Sequence, residues 1–448
     1  MTSDSPGPAE SGQGCRLLIL AVLALLVGIA AGAVGALFRI ALAHADRLRN
    51  GLIEWAQQEG LVGFLLVLLM CSLAPFVAAW LVRRVSPYAS GSGIPHVEAV
   101  LAQQMPNPPF RLIWVKFVGG VLAIGSGLAL GREGPTVQMG ASLALLIGRI
   151  FRRTWPDCRV LFAAGAGAGL ATVFNAPIAG AVFVLEELVR RFEPRIAIAA
   201  VGASAAAIAV ARFFLGDSPD FSVPPLAYPR PIVNLLYLVL GAGAGLFAVA
   251  YNRAIVGALT LAESMPRLPA EWRAAAIGAL VGMLAWFAPA LVGGGDPITQ
   301  RSLDGAETLT LLPLFFLIRF GLGALSYAAG TPGGLFAPML VLGAQLGLFF
   351  GFVCRMIFPE LEIQPAGFAV VGMAAFFTGV VRAPVTGMVL ATEMTASLTM
   401  LVPMLGACFG AMLVATLLRD APIYDVLREQ TIRLERGAQS KDDAKERS

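Results

Sequence analysis

Charge is what this sequence has least of. Of its 448 residues only 13% are Asp, Glu, Lys or Arg, about half the fraction usual in a soluble domain, so water is not its main solvent. Histidine is nearly absent: His44 and His96 lie near run ends or in loops and are expected to be solvated or capped. The five cysteines, Cys15, Cys71, Cys158, Cys354 and Cys408, show no CxxC or CxxH spacing, so they suggest neither a metal site nor a disulfide framework and read as small hydrophobes. No nucleophile and base pair, metal cluster or cofactor motif stands out, so an enzyme is not expected. The net charge of +4 is small and its cations form no stripe, which argues against a nucleic-acid partner.

What is present is apolar. Hydrophobic residues make up 57% of the chain, and mean hydropathy is +0.78. Charge-free stretches such as Leu17 to Leu37 and Leu61 to Val82 reach the ~20 residues that a membrane span needs. The first is too long for the apolar core of a secretory signal and reads as the first membrane helix. The later runs are irregular in length, some too short to cross a bilayer and some, such as 160–189 and 386–419, long enough to bend. The 50 glycines and 29 prolines fall largely inside the runs, as in broken, closely packed helices. Composition divides the chain into a polar tail (1–15) expected to be disordered, a first membrane half (16–215), a Pro-rich linker (216–231), a second membrane half (232–427) and a short tail (428–448). Six Lys and Arg after Tyr424 favour a cytoplasmic C-terminus.

The two halves resemble each other. GREGPTVQMGA, with Pro135, Gly140 and Ala141, matches GGLFAPMLVLGA, with Pro338, Gly343 and Ala344, at an offset of 203. Downstream, NAPIAGAVFVLEE (Ala176, Pro177, Gly180, Glu186) matches RAPVTGMVLATE (Ala383, Pro384, Gly387, Glu393) at an offset of 207. Repeated membrane halves are a common transporter plan, with substrate held at their interface by the ends of half-helices.

Three stretches combine glycines with a proline and few large side chains: SGSGIPHVE (Ser90 to Glu98), GLALGREGP (Gly127 to Pro135) and GTPGGLFAP (Gly330 to Pro338). Each has the form of a loop running into a helix whose first N–H groups are unpaired, which is an anion site by construction. At membrane depth such backbone must be packed in protein or line a wet cavity, so one shared cavity is expected. Glu133 is the most informative residue, because a carboxylate inside a bilayer is costly and marks a pathway or proton relay. At a helix N-terminus it could occupy the anion site itself and leave when protonated. The blander alternative is that it pairs with Arg132. Of Glu186 and Glu187, one is expected to be a solvated helix end and the other to face inward.

GSGIP, GREGP and GGLFAP in this order, with PIY near the C-terminus, closely resemble the CLC family of chloride channels and chloride/proton antiporters, from about Leu17 to Leu427. The resemblance implies an all-α integral membrane fold of about eighteen tilted and broken helices in two inverted repeats, and a homodimer with one pathway per subunit. It implies that the hydroxyls of Ser92, beside Gly91, and Tyr424 coordinate a central chloride, completed by the N–H groups of Leu335 and Phe336. An outer site would run from Gly131 through Arg132 to Gly134, with Glu133 as the gate and Glu187 as the inner proton-transfer residue. Serine at 92 suggests chloride as the substrate, and an acidic residue at 187 favours exchange for protons over a passive channel, the alternative reading. The tail after Leu427 is too short for the paired nucleotide-binding domains of many eukaryotic members, which suggests a prokaryotic inner-membrane protein with both termini cytoplasmic.

Overall fold

The computed structural model describes residues 8–265 and 268–446, with side chains over 16–265 and 268–436. The first seven residues of the expected polar tail lie outside the described residues, as do the last two of the chain. Among those described there is no β-strand, only two isolated bridges.

Eight helices make the first half: α1 (Pro8–Ala56), α2 (Gly60–Val85), α3 (Ile94–Leu101), α4 (Arg111–Gly125), α5 (Glu133–Ile150), α6 (Trp155–Phe174), α7 (Pro177–Phe183) and α8 (Pro194–Leu215). Eight follow in the second: α9 (Val233–Glu263), α10 (Ala270–Phe287), α11 (Asp296–Leu303), α12 (Leu312–Ala328), α13 (Phe336–Ile357), α14 (Pro365–Val381), α15 (Pro384–Thr395) and α16 (Leu401–Leu417). A last helix, α17 (Ile423–Glu446), begins at the PIY motif. The single run expected over 160–189 is cut at Asn175, where α6 closes on a left-handed residue before Pro177 opens α7. The run over 386–419 is cut in the same way, at left-handed Ala396 between α15 and α16.

The halves repeat in packing as well as in order. α5 lies on α6 as α13 lies on α14, α1 on α8 as α9 on α16, and α2 on α4 as α10 on α12. Equivalent glycines permit equivalent approaches: a Cβ on Gly140 would stand 2.2 Å from the Gly165 carbonyl oxygen, and one on Gly343 2.4 Å from that of Gly372. With lipid outside there is little hydrophobic drive between helices, so this close backbone contact carries the packing.

The repeats are inverted. Glu186 Oε1 and Oε2, just past α7, accept the N–H groups of Val385 (3.0 Å) and Thr386 (2.6 Å) at the start of α15. Glu393, near the end of α15, accepts those of Ile178 (3.1 Å) and Ala179 (2.7 Å) at the start of α7. Equivalent helices thus lie side by side and antiparallel, as an axis in the membrane plane requires and an axis along its normal forbids.

The outward faces are apolar over the length of the bundle, with Leu65, Leu69, Val239, Leu246, Phe287 and Leu317 all exposed. Five helical segments are long and apolar enough to cross a membrane, one of them counted as α1 and α2 together. So continuous an apolar surface needs lipid to cover it.

Candidate anion pathway

The three glycine-rich stretches meet at the centre. Gly131 and Gly334, equivalent residues of the two repeats, exchange both backbone hydrogen bonds, at 2.8 and 2.6 Å. Gly91 donates to Thr331 O and accepts from Gly333 N, each at 3.1 Å. The starts of α3, α5 and α13 are thereby stitched together. Bare backbone is what lets them approach: a Cβ on Gly134 would sit 2.3 Å from Ser92 O and 2.4 Å from Ser92 Oγ.

Glu133 opens α5 and is wholly buried. Its carboxylate reaches across the repeat interface, where Oε1 accepts the Ala337 N–H in the first turn of α13 at 3.1 Å. Oε2 folds back over Gly131 and Gly334 and has no hydrogen-bond partner. The helix terminus that would attract an anion therefore already holds a carboxyl oxygen. Arg132 does not pair with Glu133; its guanidinium lies 3.2 Å from Asp220 and 3.1 Å from Asp296.

On the other side of this seat are Ser92 and Tyr424. Both hydroxyls are buried and neither has a partner. Leu335 and Phe336 head α13, where helical geometry leaves their N–H groups without a carbonyl one turn back. The Phe336 ring stacks near Tyr424 (6.1 Å between centroids) and packs against Phe183 and Phe377, so the surrounding wall is apolar. Unspent buried donors facing a dry wall are costly unless something accepts from them.

Glu187 lies in a π-helical turn, Val184–Leu188, that continues α7. It is 3% exposed, and its Oε1 lies 3.4 Å from Arg190. Arg190 in turn reaches Asp425 (2.8 Å), the residue after Tyr424, and Arg428 joins Asp425 (3.2 Å) to Glu98 (3.7 Å). Of the two neighbouring acids, Glu186 is thus the helix cap already described and Glu187 the buried one.

Four features were not read from the sequence. Glu98 is 2% exposed in α3 and belongs to the charged network of Glu187, yet it was given no role. His96 is not solvated or capped: every residue of α3 is buried, and both of its ring nitrogens lack partners beside the Tyr88 ring. His44 is exposed and bonds Ile40 O. Lys116 of α4, wholly buried, donates to Ala89 O (3.1 Å) and Gly91 O (2.7 Å), fixing the turn that carries Ser92. Its equivalent 203 residues on, Arg319 of α12, donates in the same way to Leu291 O and Gly293 O (3.1 and 2.8 Å). That pairing exposes a third repeat match, GSGIP with GGGDP (Gly293 to Pro297), in which Gly91 and Gly93 correspond to Gly293 and Gly295, all four with positive φ.

Two cavities flank the centre. One, of about 360 Å³, lies between Leu130 to Arg132, Gly293 to Asp296 and the C-terminal part of α1. The other, of about 580 Å³, is bordered by Glu186, Glu187, Arg190, Arg382 and Pro422. They sit at opposite ends of α1: the second opens beside Arg191, whose partner Glu193 precedes α8, and Arg16 of α1 shares a recess with Arg195 of α8. No group of three His, Cys, Asp or Glu among the described residues is placed to hold a metal ion.

The sequence pattern of the voltage-gated chloride channel family matches residues 74–416. The chain belongs to the CLC family. CLC relatives include the H(+)/Cl(-) exchange transporter ClcA of Vibrio cholerae serotype O1, 39% identical over 422 residues that cover 92% of this chain and 89% of the relative. The ClcA of Vibrio parahaemolyticus is 38% identical, covering 94% of this chain and 91% of its own. Among solved CLC structures, a slow cyanobacterial Cl-/H+ antiporter superposes with a TM-score of 0.88 at 32% identity, over 92% of this chain and 98% of that one.

Proposed function

We propose that the protein exchanges chloride for protons across a cell inner membrane, with Glu133 as a gate that competes with chloride for one seat. The single observation that carries this is the Glu133 carboxylate bonded to the Ala337 N–H at the head of α13. An anion and an ionised side chain cannot both hold those N–H groups, so each cycle of displacement ties the movement of one to the protonation of the other.

In this reading the Ser92 and Tyr424 hydroxyls, with the Leu335 and Phe336 N–H groups and the turn at Gly91, hold a central chloride. The backbone from Arg132 to Gly134 forms the outer seat. A protonated Glu133 swings into the 360 Å³ cavity and exposes its proton there. Glu187, bordering the cavity at the opposite face, takes up the proton on that side. The relatives' names, H(+)/Cl(-) exchange transporter, support the pair of substrates. All these residues come from one chain, which fits a homodimer whose subunits each carry a pathway. Arg190 pairs with Asp425 of α17, and Arg191 lies beside it, while Arg16 of α1 shares a recess with Arg195 of α8; cations at that face favour a cytoplasmic placement of both termini.

The test is flux through reconstituted liposomes. An imposed chloride gradient should drive proton uptake, and Glu133→Gln should keep chloride flux while ending proton flux. Robust chloride flux with protons at background in the unaltered protein would overturn the proposal in favour of a passive channel.

A further inference from the structure

The Pro-rich linker between the repeats is a strap rather than slack chain. Asn175 Nδ2 donates to Ser218 O (2.8 Å) and Phe221 N to Met394 O (3.0 Å). Gln300 of α11 clips the Ser222 peptide on both sides, accepting its N–H (3.0 Å) and donating to its carbonyl (2.7 Å). Between these ties the strap presents Asp220, whose side chain is 5% exposed.

Asp220 joins two arginines. Its Oδ1 lies 2.8 Å from Arg39 of α1, and its Oδ2 lies 3.2 Å from Arg132. The other edge of the Arg132 guanidinium faces Asp296, which opens α11. Two cations and two carboxylates thus close a neutral cluster drawn from α1, the turn before α5, the linker and α11, of which Arg132 and Asp296 line the 360 Å³ cavity.

Arg132 immediately precedes Glu133. A carboxylate leaving the α13 terminus for that cavity meets this guanidinium as its neighbour in sequence, and a free guanidinium is a bidentate partner for any carboxylate within reach. We infer that Asp220 is a positioning residue that occupies the Nη2 edge of Arg132, the edge that Asp296 leaves open, so that Glu133 does not become trapped there in an ion pair outside its seat. The strap thereby makes the gate's return part of the repeat-to-repeat connection. This rests on the reading of Glu133 as the gate.

The experiment compares Asp220→Asn in two backgrounds, measuring chloride efflux from proteoliposomes. With Glu133 present, D220N should slow exchange roughly fivefold, the effect of trapping by one ion pair of about that strength. With Glu133→Gln, which has no carboxylate to trap, the same change should alter efflux by less than about twofold. Asp220→Glu should restore most of the rate. Equal slowing in both backgrounds, no slowing with Glu133 present, or a D220E variant as slow as D220N would each overturn the inference. Should D220N not assemble, Gln300→Ala unclips the strap while keeping all four charges and carries the same two-background comparison. The two failures are separable. E133Q that keeps proton coupling removes the gate reading and this inference with it, whereas E133Q that uncouples while D220N slows both backgrounds alike removes this inference alone.

Discussion

Glu186 and Glu393 hold equivalent places in the two repeats, and each caps the helix that carries the other. That reciprocity separates scaffold from machinery. Residues matched across the repeats, such as these two acids or Lys116 and Arg319, secure backbone. The two acids proposed to carry protons break the match: the equivalent of Glu133 is Phe336, and that of Glu187 is Met394.

The first prediction follows from this contrast. Glu186→Ala or Glu393→Ala removes a carboxylate cap from two N–H groups, costing about 1 kcal/mol and lowering the melting temperature of the purified protein by about a degree. The ratio of chloride to proton flux should stay where it was. Glu187→Gln should do the reverse, cutting proton flux several-fold more than chloride flux with little change in melting. A shifted ratio in the E186A or E393A variants would contradict the division of roles.

Ser92 and Tyr424 give a prediction with a sign that depends on chloride. Each hydroxyl is buried without a protein partner, so Ser92→Ala or Tyr424→Phe removes an unsatisfied donor from the empty protein. Melting without chloride should be unchanged or slightly higher. With chloride present, a hydrogen bond to an ion is lost, about 1.5–3 kcal/mol. Chloride affinity by calorimetry should fall by roughly tenfold or more, and the chloride-induced rise in melting should shrink with it. Equal melting shifts with and without chloride would remove these hydroxyls from the ion's shell.

Lys116→Met tests the support of the Ser92 turn. The substitution fits the buried space but leaves Ala89 O and Gly91 O without their charged donor, and each such bond contributes about 1.5–3 kcal/mol. Both melting temperature and chloride affinity should drop, the affinity by about tenfold or more. Arg319→Met should destabilise the protein comparably but leave calorimetric affinity nearer its starting value, because Arg319 holds the α11 turn rather than that of Ser92.

Much of the pathway was legible because it is written in backbone. Glycine and proline at one helix start can mark an ordinary cap or kink, but GSGIP, GREGP and GGLFAP together point to exposed N–H groups in one place. The offset of 203 between GREGP and GGLFAP, with that of 207 downstream, also carried the repeat. What stayed hidden was whatever depends on distant partners. The third repeat match was masked because Ser92 is answered by Gly294 and Ile94 by Asp296. The burial of Glu98 and His96 follows from α3 being packed beside α5, α6 and α17, which hydropathy along the chain does not report. Asp220 reaches Arg132 across 88 residues, and nothing local to the linker signals it.

A frame built of antiparallel twins has no intrinsic sense of direction. Threaded upside down, the bundle would present nearly the same outline to each leaflet, and the solutions meeting Glu133 and Glu187 would change places. The proposed orientation of the gate therefore rests on the arginines grouped at one face, away from the anion seat.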